Sequence, residues 1–258
     1  MSCAVMQTGQ EPPSVEQLRN AFHHVPGLAA LDAAIMGKDA CGVLGNGFEP
    51  GQASALQAAL AAQGVSSEVV EEKSLAPLPQ PRQLARLEFA PDALMIDNLL
   101  GRVYPLAWND IWLIAAGRAP MAEFKREEVE KVVMVRQRGI SVPKVIKEDV
   151  TREERNGHLL LEIIARGAAV RCHAIASRPD AFLLFQCLGS RRGKDASANL
   201  ALLVRDLSGR APAAMLNCGA YQMTQDGAAP FSYASQTAFY REMTWLMWMD
   251  STGRMQRP

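Results

Sequence analysis

Between residues 41 and 62 the chain passes from a small, apolar run into a glycine-rich stretch and then an alanine-rich segment. The pattern predicts strand, turn and helix. "ACGVLG" is the strand, Pro50 suits a first helical position, and Ala53, Leu56 and Leu60 share one helical face. Gly64 stands just past the helix end, and "VSSEVVEE" reads as a second strand, parallel to the first. Upstream, residues 14–36 read as helical. Ser14 with Gln17 forms a capping box, and Pro26-Gly27 splits the segment into two short helices. "KSLAPLPQP" has three prolines in five residues and cannot continue regular structure, so residues 75–81 are a linker.

Beyond the linker the pattern becomes β. "ARLEFAPDALMID" predicts strand, Pro91-Asp92 turn, strand; "VYPLAWNDIWLIAAGRA" is extended and rich in aromatic and branched residues. "EFKREEVEKVV" is expected to be helical, within a run at 121–157 that holds nine basic and eight acidic residues and reads as a solvated excursion. "HLLLEIIARGAAVRCHAIAS" predicts a hairpin turning near Arg166-Gly167, and "FLLFQCL" a further strand. In "SANLALLVRDLSGRAP" Leu200, Leu203, Val204 and Leu207 lie on one helical face, stopped by Gly209 and Pro212. "SQTAFYREMTWLMWM" predicts a last helix that is apolar nearly all round. The expected class is α+β: a helical and βαβ module over 1–74, the linker, a β-rich domain over 82–212 with the charged insertion, and a C-terminal segment and helix over 213–258.

The 258 residues suffice for a sizeable core, and overall charge is balanced, but the ends differ. Residues 1–80 carry three Lys/Arg and eight Asp/Glu, whereas residues 158–258 carry eleven and seven. This asymmetry lets the two ends attract each other, within a chain or between chains, and neither end has the clustered positive charge that nucleic-acid binding needs. The five cysteines are widely spaced, with no C-x-x-C pair, which implies reduced thiols and a cytoplasmic location. No signal peptide and no membrane span are expected.

The stretch "LMIDNLLGRVYPLAWNDIWLI" resembles the hairpin of bacterial pleckstrin-homology-like domains, with Trp108, Asp110 and Ile111 in the places of their Trp-x-Asp-Ile. That resemblance implies a bent antiparallel sheet plugged at one end by the helix of residues 197–209. Residues 41–72 resemble small bacterial βαβ modules of ferredoxin-like type. Neither resemblance implies an enzymatic activity; both imply recognition or assembly.

Three segments are candidates for chemistry. Gly45-Asn46-Gly47 has the spacing of a phosphate cradle, but the third glycine of a dinucleotide fingerprint is replaced by Pro50, and Glu49 stands where a phosphate would approach. It reads as a turn, and no cofactor is expected. In "GSRRGKDAS", Arg191, Arg192 and Lys194 precede a helix N-terminus and form a candidate anion site, with Asp195 or Ser197 capping the helix. In "TWLMWM", Trp245, Trp248 and Met249 either pack between modules or form an interface between copies. Cys172 and His173 are neighbours in a strand and point to opposite faces, Cys172 to the core and His173 outward. No catalytic or metal-ligating residue is expected. The reading is a non-enzymatic binding or scaffold protein acting through a protein partner or its own copy; the alternative is a small-molecule-binding regulatory protein with its pocket between modules.

Overall fold

Cys3–Gln7, five buried residues, form the central strand β1 of the first sheet. The sequence pattern does not mark it, because a strand buried on both faces lacks the alternation that identifies half-buried ones. The computed structural model describes residues 2–9, 11–25, 27, 30–98, 100–137, 140–166, 170–225 and 231–255. It comprises two compact units, one of residues 1–119 and 158–258, the other of residues 120–157.

The first unit begins with β1, α1 (Val15–His23), α2 (Ala30–Asp39), β2 (Val43–Phe48), α3 (Pro50–Ala62) and β3 (Ser67–Glu71). The capping box of Ser14 and Gln17 starts α1. Ala53, Leu56 and Leu60 are the buried face of α3, as the spacing requires. Strands β2 and β3 both run antiparallel to β1. They therefore share a direction, but β1 lies between them in the order β2-β1-β3. Leu18, Phe22 and the inner face of α3 pack with Val5 and Leu44.

The second sheet has the order β10-β7-β8-β9-β4-β5-β6. Its strands are β4 (Pro81–Phe89), β5 (Ala93–Asn98), β6 (Val103–Ala107), β7 (Ile111–Gln137), β8 (Ile140–Ala165), β9 (Arg171–Ile175) and β10 (Met215–Leu216). Most neighbouring pairs whose register is described are antiparallel; β9 with β4 and β10 with β7 are parallel, so the sheet is mixed. Its large core gathers Leu87, Ile96, Ile114, Leu161, Ile163 and Cys172 against α4 (Ala196–Arg210), whose Leu200, Leu203, Val204 and Leu207 supply the helical side. The short helix α5 (Cys218–Thr224) adds Ala220 and Met223.

Two segments depart from the expected elements. "FLLFQCL" is not a strand: Leu184–Arg191 comprises two 3-10 turns that meet at a kink at Gly189. Leu184, Phe185 and Leu188 recur at helical spacing and are all buried, and Gly189 ends the turn with φ +57°. "EFKREEVEKVV" is not a helix but part of β7, and residues 120–157 of β7 and β8 make up the second unit. Val129, Val132, Val133 and Val135 are β-branched, and that stiffness favours a strand once a partner strand is present. The expected turn at Gly167 lies outside the described residues.

The C-terminal helix α6 (Gln236–Ser251) contacts both sheets. Trp248 and Met249 pack on Ala4, Met6 and Val43 of the first sheet, and the Trp245 indole donates to the Gln7 carbonyl at 2.7 Å. On the second sheet, the Trp112 indole donates to Asp250 at 2.9 Å, and the Arg171 guanidinium lies 4.8 Å from the Tyr240 ring centre. Among the described residues no helix is long and apolar enough to cross a membrane.

Candidate anion-binding groove

The loop of residues 189–195 is shaped by the start of α4. Asp195 is the N-cap, its Oδ1 accepting from the Ser197 amide at 3.0 Å. One turn on, the buried Asn199 reaches back to the loop. Its Oδ1 accepts from the Gly193 amide at 2.8 Å and its Nδ2 donates to the Gly193 carbonyl at 3.0 Å. Arg192 and Lys194 flank that clamped glycine.

The three cations proposed from the sequence therefore part company. Arg191 turns onto α4 and donates through Nη1 and Nη2 to the Asp206 carboxylate at 3.0 and 2.5 Å. That bond, with the charge of Asp206, raises the Arg191 pKa above its ordinary value. Its guanidinium is held on α4 by this two-point pairing. Arg192 and Lys194 instead line a cavity of about 320 Å³ together with Arg178, Phe182 and Asn199. Neither Arg192 nor Lys194 has a carboxylate partner among the described residues. Ala196 at the start of α4 forms one wall, and the Asp195 carboxylate caps that helix terminus next to Lys194. A second cavity of about 260 Å³ adjoins at Arg178 and Ala181 and runs along Gln83 of β4. Arg178 and Phe182 were missed from sequence because they lie eleven and seven residues upstream of the loop; only the fold makes them neighbours of Lys194.

Gly45-Asn46-Gly47 is strand rather than cradle. A Cβ at Gly45 would lie 2.5 Å from the Phe48 ring, so this glycine serves close packing. The Gly47 amide is taken by the Glu72 carboxylate at 2.5 Å, and Asn46 accepts from Arg241 Nη2 at 2.6 Å. A carboxylate thus occupies the amide that a phosphate would use.

Two polar networks are buried around α6. On the second sheet Glu162 is opposite His173, and the carboxylate accepts from Arg171 Nε and Nη2 at 2.8 Å each and lies 2.8 Å from His173 Nδ1. Cys172 faces the core as its strand position requires, but His173 is not solvent-facing: it is buried against Glu162 on the side that Tyr240 and α6 approach. In the second network Glu242 of α6 accepts from the Cys218 amide at 2.8 Å and from the Tyr233 hydroxyl, while Asn217 Nδ2 donates to that hydroxyl at 2.8 Å. Burial first, and then the Glu242 charge, push the Cys218 thiol up to about 12 and raise Cys41 and Tyr233 as well. Thiols held this firmly protonated are poor nucleophiles. Both networks connect α6 to its surroundings, and their carboxylates face protein donors. Among the described residues no group of three or more His, Cys, Asp or Glu side chains is placed to hold a metal ion.

No protein-family model, no curated protein and no solved structure matches the chain.

Proposed function

We propose that the chain is a non-enzymatic binding protein that takes a small anionic ligand in the groove at the start of α4. The observation that carries this reading is the placement of Arg192 and Lys194, without carboxylate partners among the described residues, on one cavity with Arg178. Cations gathered along one concave surface attract anions more strongly than the same cations spread on a convex one. The Asn199 clamp pre-organises the loop, which lowers the entropy lost on binding. We place the ligand in this groove and not between modules, where α6 packs on the first sheet and bonds to Trp112 of the second. The resemblance to pleckstrin-homology-like domains agrees with a recognition role, and five free cysteines agree with a cytoplasmic one.

Thermal unfolding in the presence of phosphate, pyrophosphate and a neutral sugar tests this. A ligand at a hundred times its Kd adds about 2.7 kcal/mol to stability. Pyrophosphate is expected to raise Tm and the sugar to leave it unchanged; equal responses to all three contradict the proposal.

A second reading, association with a protein partner or another copy, rests on the β5–β6 hairpin. Leu100 is 78% exposed and Val103 57% exposed at its tip. Light scattering tests self-association: a dimer that becomes monomeric in Leu100→Asp supports it, and a monomer at all concentrations contradicts it.

A further inference from the structure

We infer that the ligand of this groove is a nucleoside phosphate: an anion joined to a flat aromatic base that stacks on Phe182. The inference rests on the anion-binding reading above and adds a second chemistry to it. Phe182 is 55% exposed, yet it lines the same cavity as Arg192 and Lys194. It closes the 3-10 turn Pro179–Phe182, whose backbone is fixed by the Ala181 amide donating to the Arg178 carbonyl at 3.0 Å. Phe185, from the following turn, is buried beneath the same wall. The aromatic face is therefore presented on a supported turn. Every nucleobase has a π-face that stacks on such a ring, whatever its sequence of donors and acceptors.

The dimensions agree with a monomer. A cavity of about 320 Å³ is at the lower end of small-molecule sites. The adjoining cavity continues past Arg178 to Gln83, whose side-chain amide carries both donors and an acceptor for the edge of a base or a ribose. The phosphate end belongs at Arg192 and Lys194, the two cations of this cavity without a carboxylate partner among the described residues.

Calorimetric titration of the full chain with adenosine diphosphate and with pyrophosphate separates the two parts, because both ligands carry the same diphosphate. Adenosine diphosphate is expected to bind about tenfold tighter than pyrophosphate. Phe182→Ala should abolish that advantage and leave pyrophosphate affinity within twofold; this exposed site tolerates truncation, and the unfolding curve confirms it. If pyrophosphate binds and adenosine diphosphate binds no tighter, or if Phe182→Ala weakens both equally, the nucleoside inference is overturned and the anion reading stands. If neither ligand binds, the anion reading fails with it.

Discussion

Asn199 and Gly193 are joined by two hydrogen bonds, one in each direction, so that a side-chain amide on α4 holds the backbone of the basic loop. The consequence is positional. Arg192 and Lys194, which have no carboxylate partner among the described residues, flank a glycine that is fixed to the first turn of a helix.

Removing that clamp should cost both stability and affinity. Asn199→Ala leaves the Gly193 amide and carbonyl without their partner, a loss of about 1–3 kcal/mol. Urea unfolding measures it, and pyrophosphate affinity should fall severalfold in the same variant. Unchanged stability would mean that water replaces the asparagine without penalty.

The buried pair Glu162 and Arg171 is expected to behave as a unit. Glu162→Gln leaves a buried guanidinium without its counter-charge, at a cost of about 3–5 kcal/mol. The double variant Glu162→Gln, Arg171→Met should be more stable than the sum of the two single losses predicts. A double-mutant cycle from urea unfolding reads the coupling; strict additivity would contradict the pairing.

Stability should fall in alkali. The buried Cys172 thiol and the half-buried Cys187 thiol are raised to about 11, chiefly by burial. A thiol whose folded pKa lies above its unfolded value, about 8.5, loses its proton first in the unfolded chain. Its contribution is whole below pH ~8.5 and declines as pH rises through the folded values, so ΔG should drop between pH ~9 and ~11. Glu242→Gln removes a charge that raises Cys218 and should speed its alkylation at pH 8. A Cys218 rate that reaches its plateau below pH 10 would contradict this assignment.

Two glycines should respond in opposite directions to alanine. At Gly219 a Cβ would lie 1.9 Å from the Ala116 carbonyl oxygen, so Gly219→Ala forces α5 away from β7 and should cost more than about 2 kcal/mol. At Gly209, near the end of α4, a Cβ meets nothing within 4 Å, and Gly209→Ala should add about 0.4–1 kcal/mol. Thermal unfolding distinguishes the two; destabilisation by Gly209→Ala would contradict the packing of α4.

Helices were the most legible elements, because their signals are local. Ser14, Pro50 and the leucines of α4 mark starts and faces within a turn or two of themselves. What escaped depends on distant partners. β1 carries no alternation, since both of its faces are covered by residues far along the chain. His173 reads as outward until Glu162 and Tyr240 cover it. The basic loop was legible as a cluster, but not the way its members divide: the carboxylate that takes Arg191 is Asp206, on the next face of α4. Phe182 gave no signal, because an isolated phenylalanine in an apolar run reads as core.

The most direct test is calorimetric titration of pyrophosphate at low ionic strength into the parent chain, into Arg192→Ala with Lys194→Ala, and into Arg191→Ala. The account predicts one site that weakens as salt rises, is lost at least tenfold in the double variant, and stays within threefold in Arg191→Ala, since Asp206 already holds that guanidinium. Absence of binding at low salt, or binding that survives in the double variant, would contradict it.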